Sequence, residues 1–216
     1  MSTDLSLHHR RRKPTADELA DIPWLPLLQP HERTCAEEVL LVGDALPGDY
    51  VCRVGRPVTY WFGVIEGLLK MSNDNADGGT MTFAGLPPGG WFGEGSLLKE
   101  EPRRYDVMAL RETRVAFMNR STFLWLMDHS IPFNRFLLLQ LNERLSQFIG
   151  MIEHERLLDT DSRLARCLAS MFNPLLYPGS SLELPISQEE IGLLAGISRQ
   201  RVNQALRKLE QAGLLR

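Results

Sequence analysis

The chain has 216 residues, 44% hydrophobic and 24% charged, the make-up of a globular chain of about one or two domains. Lys and Arg total 24 against 27 Asp and Glu, for a formal charge of -3. A protein basic throughout is therefore excluded, whereas a local basic surface is not.

Three separated cysteines, Cys35, Cys52 and Cys167, form no CxxC pair and indicate neither a disulfide framework nor a zinc knuckle. They read as buried thiols of a reducing compartment. No run approaches the roughly 18 apolar residues of a membrane span. The N-terminus carries His8-His9-Arg10-Arg11-Arg12-Lys13 in place of a signal core, so a cytoplasmic protein without membrane contact is expected.

Residues 1–18 are polar and without period, which predicts a disordered arm. Between Ile22 and Glu38 apolar clusters alternate with Pro23, Pro26 and Pro30, which predicts broken helical turns. From Val39 to Met118 the pattern turns strand-like. Apolar runs at 50–54, 59–65, 67–71, 80–84, 106–110 and 114–118 are separated by glycine-rich and proline-rich turns. Such spacing predicts an all-β roll or sandwich of about 80 residues. Asp77-Gly78 suits a tight hairpin within it.

After Ser121 the period becomes helical. Leu138, Leu141, Leu145, Phe148 and Ile152 follow at 3, 4, 3, 4 spacing, an apolar seam along one helix face. Such a stripe packs either on the chain's own core or on a second copy. With Asn142, Glu143, Arg144, Gln147 and Glu153 assigned to the outward faces, a symmetric dimer is expected. A helix from Arg163 to Phe172 follows, ended by Asn173-Pro174.

Ser187-Gln188-Glu189-Glu190 is a capping box, and its helix buries Ile191 and Leu194 before a turn at Gly196. Ser198 caps a second helix with Val202, Ala205, Leu206 and Leu209 on one face. Opposite them stand Gln200, Asn203, Gln204 and Arg207, flanked by Arg199 and Arg201. Two capped helices about a glycine turn, the second with an amide-rich and basic face, make a helix-turn-helix. The same pattern also suits a surface helix pair with solvated charges. Arginine and glutamine are the side chains that pair bidentately with guanine and adenine edges, which points to double-stranded DNA. No nucleophile elbow, P-loop, zinc motif or GxGxxG supports an enzyme.

A second constellation is Gly89-Gly90-Trp91-Phe92-Gly93-Glu94-Gly95-Ser96, followed ten residues later by Arg103-Arg104. Glycines opening a short helix, with fixed positive charge nearby, suit an anion. A tight turn beside a surface arginine pair has the same appearance.

The order of these parts, together with Phe92-Gly93-Glu94, Arg104, Leu158-Asp159 and the segments 186–191 and 196–202, resembles the Crp/Fnr family of dimeric bacterial transcription regulators. The resemblance spans roughly residues 20–216. It implies an α+β fold with an N-terminal jelly-roll-like β-roll, a long dimerisation helix and a C-terminal winged helix-turn-helix. A wing is expected to follow the second helix and is not contained in the residues up to Arg216. The expected division is an arm at 1–18, a cyclic-nucleotide-binding-like roll at 19–130, a dimerisation helix at 131–158 and a DNA-binding domain at 159–216.

By resemblance, Glu94 stands where cyclic-AMP-binding members hold the ribose and Arg104 where they hold the phosphate. Gly93, Gly95, Ser96, Arg103, Tyr105, Phe148 and Ile149 complete the implied effector site. Two departures make cyclic AMP doubtful. Tyr105 replaces the small hydroxyl residue after the arginine, and Phe148 and Ile149 replace hydroxyls offered to the adenine. Unpaired base edges cost about 1–3 kcal/mol each. Neither an iron–sulfur cluster nor a haem is expected, since Cys35 and Cys52 cannot supply four thiolates and the histidines are not placed as axial ligands.

The resemblance further implies base contacts from Arg199, Gln200 and Gln204, and phosphate contacts from Ser187 and Ser198. A palindromic operator, RNA polymerase and a small effector are the implied partners. A sensor module whose main output is not DNA binding is the alternative.

Overall fold

The structure is a computed structural model describing residues 7, 10–74, 80–155, 159–179 and 183–216. The expected Asp77-Gly78 hairpin turn lies outside the described residues.

The chain begins with helix α1 (Ala16–Ala20), a 3₁₀ turn at Leu25–Leu27 and helix α2 (Pro30–Val39). Strands β1 (Leu41–Ala45), β2 (Tyr50–Cys52), β3 (Tyr60–Glu66), β4 (Leu69–Asp74), β5 (Thr80–Leu86) and β6 (Trp91–Phe92) follow. After the short helix α3 (Glu94–Lys99) come β7 (Asp106–Ala109) and β8 (Thr113–Asn119). Among the described residues these strands form two antiparallel four-stranded sheets, ordered β1-β8-β3-β6 and β2-β7-β4-β5. They enclose Phe62, Leu69, Phe92, Val107 and Phe117, all buried. The roll expected from strand spacing is present. Two strands that pattern alone did not mark are β1, which contains Gly43 and Asp44, and the two-residue β6, too short to show a period.

Outside the first sheet a second core gathers Trp24, Trp61, Trp91, Phe123 and Phe133. The Trp61 and Trp91 ring centroids lie 4.3 Å apart, and Phe133 meets Trp24 edge-on. This cluster fastens α1, α2 and helix α4 (Arg120–His129) to the roll.

Two N-terminal expectations are corrected. The segment from Arg10 to Glu18 is held in place, because its basic side chains find carboxylates. The Arg12 backbone pairs with Val42 at 2.8 Å in both directions, and its guanidinium grips Glu18 at 2.6 and 2.7 Å. Arg10 meets Asp49 at 2.6 Å. The hydrogen bond from Arg12, outweighing burial, takes the Glu18 carboxyl down to about 2. The second correction is α2, a regular ten-residue helix. Pro30 sits at its start, where the missing N–H has no intrahelical role.

Helix α5 (Ile131–Glu155) runs from the roll toward the C-terminal unit. That unit comprises α6 (Thr160–Ser170), α7 (Gln188–Ala195) and α8 (Arg199–Gln211). Asp159 caps α6, which therefore starts three residues before the expected Arg163. The buried core of the unit, including Leu164, Leu168, Ile191, Val202 and Leu209, extends onto Leu68 of the roll.

Among the described residues no helix is long and apolar enough to cross a membrane.

Candidate functional site

Helix α5 is apolar on two faces. Phe133, Leu137 and Gln140, at 4, 3 spacing, are buried against the protein, and Arg144 continues that row. The other face carries the expected seam. Leu138 is 65% exposed and Ile152 62%, and Leu141, Leu145, Phe148 and Ile149 are exposed with them. Such a stripe of large apolar side chains is more than a solitary surface helix normally shows.

The polar residues assigned to the outward faces divide differently. Arg144 points inward, donating to Glu94 Oε1 at 3.2 Å and to the Trp91 carbonyl. Glu143 accepts from Asn173 at 2.7 Å, and Gln147 donates to the Ser170 carbonyl at 3.3 Å. The signal was readable, since 133, 137, 140 and 144 form a second helical row.

In the roll, Gly93 takes φ +96°, which opens α3 and favours glycine. A Cβ there would lie 2.2 Å from Arg103 Nη1. Arg103 is buried, donating to the Gly93 carbonyl at 2.8 Å and to the Tyr60 carbonyl, with its guanidinium over the Phe62 ring. Glu94 is 6% exposed and accepts from Trp61 Nε1 at 3.3 Å as well as from Arg144. Ser96 is buried, whereas Gly95 faces open space.

Arg104 is not part of this group. Its side chain is 72% exposed and holds Glu101 through bonds of 3.0 and 2.7 Å. Tyr105 turns inward instead and packs on the roll core, where burial, and then the Glu94 carboxylate, push its phenol up. Asp106 accepts from the Val54 amide at 2.8 Å, tying β7 to the end of β2. The structure thus gathers Gly93, Glu94, Ser96, Arg103 and Tyr105 but leaves Arg104 outside. Phe148 and Ile149 lie on the seam face of α5 and bring no hydroxyl. Of the two residues that the resemblance assigns to ribose and phosphate, Glu94 accepts from Trp61 and Arg144, and Arg104 is turned to solvent beside Glu101.

The C-terminal unit is built on its caps. Ser187 Oγ accepts from the Glu190 amide at 3.2 Å, and Glu190 accepts from the Ser187 amide at 2.7 Å. Gly196, at φ +65°, ends α7, and Ser198 Oγ accepts from the Arg201 amide at the start of α8. Val202, Ala205 and Leu209 are buried. Arg199, Gln200, Arg201, Gln204 and Arg207 are exposed, with Asn203 half-buried beside them. Ser187 and Ser198 are exposed at the two helix starts. A helix docked by one face, with a second face of amides and guanidinium groups in solvent, has the shape and chemistry to enter a major groove.

This unit is docked on the roll. Arg111, between β7 and β8, donates two bonds of 2.7 Å to Glu190, the residue that completes the α7 cap. Burial pushes the Glu190 carboxyl up, but Arg111 and Ser187 together outweigh it and leave it below the ordinary range. Thr82 donates to the Leu193 carbonyl at 3.1 Å. Gly85 on edge strand β5 lets the C-terminal unit approach closely, since a Cβ there would meet Met171 Sδ, after α6, at 2.9 Å and Leu194 Cδ1 of α7 at 3.1 Å. Covering an edge strand with a helix also protects it from pairing with another chain. None of these contacts is apparent from the sequence, because no local pattern pairs residue 111 with residue 190.

Two family models match the chain. Residues 44–130 match the cyclic nucleotide-binding domain and residues 162–216 match the Crp-like helix-turn-helix domain. The cAMP-activated global transcriptional regulator CRP of Haemophilus influenzae is 26% identical over 165 residues, covering 74% of this chain and 73% of that protein. The cAMP-activated global transcriptional regulator Vfr of Pseudomonas aeruginosa is 27% identical over 161 residues, covering 71% and 75%. Among solved structures, the catabolite activator protein of Thermus thermophilus superposes with a TM-score of 0.52 at 25% identity, covering 88% of this chain and 89% of that one.

Proposed function

The chain belongs to the Crp/Fnr family of DNA-binding transcription regulators, and we propose that it works as a homodimer that does not answer to cyclic AMP. Two copies pair through the exposed α5 seam, from Leu138 to Ile152, burying side chains that the described residues of one copy leave in solvent. The twofold axis then sets two α8 helices about one DNA turn, roughly 34 Å, apart, which suits a palindromic operator. Arg199, Gln200 and Gln204 read base edges, with Asn203 and Arg207 further along the same face and Arg201 at its flank. Ser187 and Ser198 bind phosphates at the helix starts. Output to transcription runs through RNA polymerase.

The observation that carries the DNA reading is the capped α8, docked by Val202, Ala205 and Leu209 while its amide and arginine face stays in solvent. What supports independence from cyclic AMP is the use already made of the roll residues. Glu94 is held by Arg144 and Trp61, Tyr105 packs into the core, and Arg104 is turned outward. The relatives described above are cAMP-activated. Glu94 and Arg104, which the resemblance sets at the ribose and the phosphate, are both paired within this chain. A small effector other than cyclic AMP is the corresponding expectation.

A gel-shift selection from fragmented genomic DNA tests this reading. At low salt the full chain should retain a subset of fragments that share a palindrome, with and without cyclic AMP. Retention of no fragment, or retention only with cyclic AMP, would overturn it.

A further inference from the structure

The roll meets its own N-terminal arm where the two sheets end. Strand β1 is the outer strand of the first sheet and β2 of the second. Arg12 forms an antiparallel bridge with Val42 of β1, and Arg10 pairs with Asp49, the residue before β2. Leu7 enters the roll core beside Val51 and Phe117 and is 1% exposed. The Arg11 guanidinium lies 5.0 Å from the centroid of the Tyr60 ring.

Backbone and charge both suit β1 to this cover. A Cβ on Gly43 would lie 3.3 Å from Arg11 Cγ and 3.5 Å from Leu7 Cδ1, so the glycine leaves room for the arm. Glycine inside a strand often marks such a close approach. An edge strand offers its free N–H and C=O groups to any extended segment, and its surroundings decide which one pairs. Here Asp49 and Glu18 are both buried, and each faces an arginine of the arm.

The hold is light. The arm adds one bridge to β1, and Arg10 and Arg12 are partly exposed, where an ion pair contributes little. Its release therefore belongs to the easy end of local opening. Glu18 then still has Arg114 at 3.2 Å, but Asp49 loses its arginine, and a buried carboxylate favours a new cation in the same place.

We propose that the β1 edge, with Gly43, Glu18 and Asp49, is a docking groove for an extended basic segment of a partner protein, filled in cis by the chain's own arm. The segment adds to β1 as a strand, with an apolar residue in the place of Leu7 and arginines in those of Arg10 and Arg12. The groove is separate from the Glu94 group and from α8.

The test is the anisotropy of a fluorescein-labelled peptide with the sequence of residues 5–14, titrated with the full chain. The double variant Arg10→Glu with Arg12→Glu repels its own arm and should bind one peptide per chain, at least tenfold tighter than the parent chain does. Adding Asp49→Asn, which keeps the acceptor for the Leu46 amide but not the charge, should weaken that binding at least tenfold. A peptide of the same composition in scrambled order should bind at least tenfold more weakly. Should the double variant fail to fold, hydrogen exchange on the parent chain decides. Excess peptide should then expose the Arg12 amide while the Val42 amide stays protected, since one strand replaces another. No peptide bound by a folded double variant, equal binding by parent and variant, equal binding of the scrambled peptide, or an Arg12 amide indifferent to the peptide would overturn the proposal. Assemblies larger than the homodimer, formed when parent chain and double variant are mixed, would assign the groove to a second copy and overturn the partner reading.

Discussion

Arg103 of the roll and Arg144, which reaches the roll from α5, are each held by protein acceptors, whereas Arg199, Arg201 and Arg207 of α8 project into solvent. Both regions place arginines next to glycine-dependent turns and capped helices. One spends its guanidinium groups on its own carbonyls and carboxylate. The other leaves them available to a partner. The difference lies in what faces each arginine: Glu94, the Trp91 and Tyr60 carbonyls and aromatic rings in the roll, and only neighbouring polar side chains on α8. A basic residue in a family position is therefore a ligand-binding residue only where the fold leaves it without an internal acceptor.

The sharpest way to break this contrast is Glu94→Ala. It strips Arg144 of its counter-charge and Trp61 of its acceptor, and losing one partner of a buried ion pair costs about 3–5 kcal/mol. Urea unfolding should show this loss, and the double variant Glu94→Leu with Arg144→Met should recover most of it. A loss below about 1 kcal/mol would mean that the pair is solvated and the roll open.

Arg199→Ala should do the reverse. The thermal midpoint should stay the same while operator affinity falls about 10-fold to 100-fold, the worth of one bidentate base contact. Unchanged affinity would remove Arg199 from the reading face.

Between the two regions stands the Arg111–Glu190 contact. The folded Glu190 carboxyl titrates below its ordinary value, so its contribution is complete at neutral pH and is lost as acid carries the solution down through that lowered value. Arg111→Ala should lower stability at pH 7 by about 1–3 kcal/mol and flatten the acid limb of the stability profile. A profile identical to that of the parent chain would show that the unit is not docked through this pair.

The smallest effect is expected from Arg104→Ala, which should leave stability and operator affinity where they were. Its side chain reaches only Glu101 on the surface. A changed response to cyclic AMP in this variant would place Arg104 inside the roll and contradict the contrast.

Much of the architecture was legible locally. Ser187, Glu190, Gly196 and Ser198 mark the helix-turn-helix through capping chemistry that involves neighbours only three or four residues apart. The seam was legible for the same reason, being periodic along one helix. What escaped was long-range. Arg103 and Arg104 are adjacent in the segment between α3 and β7, and the sequence does not say which enters the roll. The missing Cβ of Gly93 leaves the room that the Arg103 guanidinium fills. Arg144 continues the readable row of 133, 137 and 140, but its acceptor, Glu94, fifty residues away, is not marked by any local pattern. The arm at 10–18 was misjudged because its carboxylate partners include Asp49, far along the chain.

The most direct measurement is the anisotropy of a labelled operator fragment titrated with the full chain, at two salt concentrations, with and without saturating cyclic AMP. The account predicts an affinity that falls tenfold or more, on the order expected for several phosphate contacts, as salt rises from about 50 to 200 mM. It also predicts the same curve with and without the nucleotide. A tenfold tightening on addition of cyclic AMP would contradict it, because the Glu94 group would then have to open to admit the ligand.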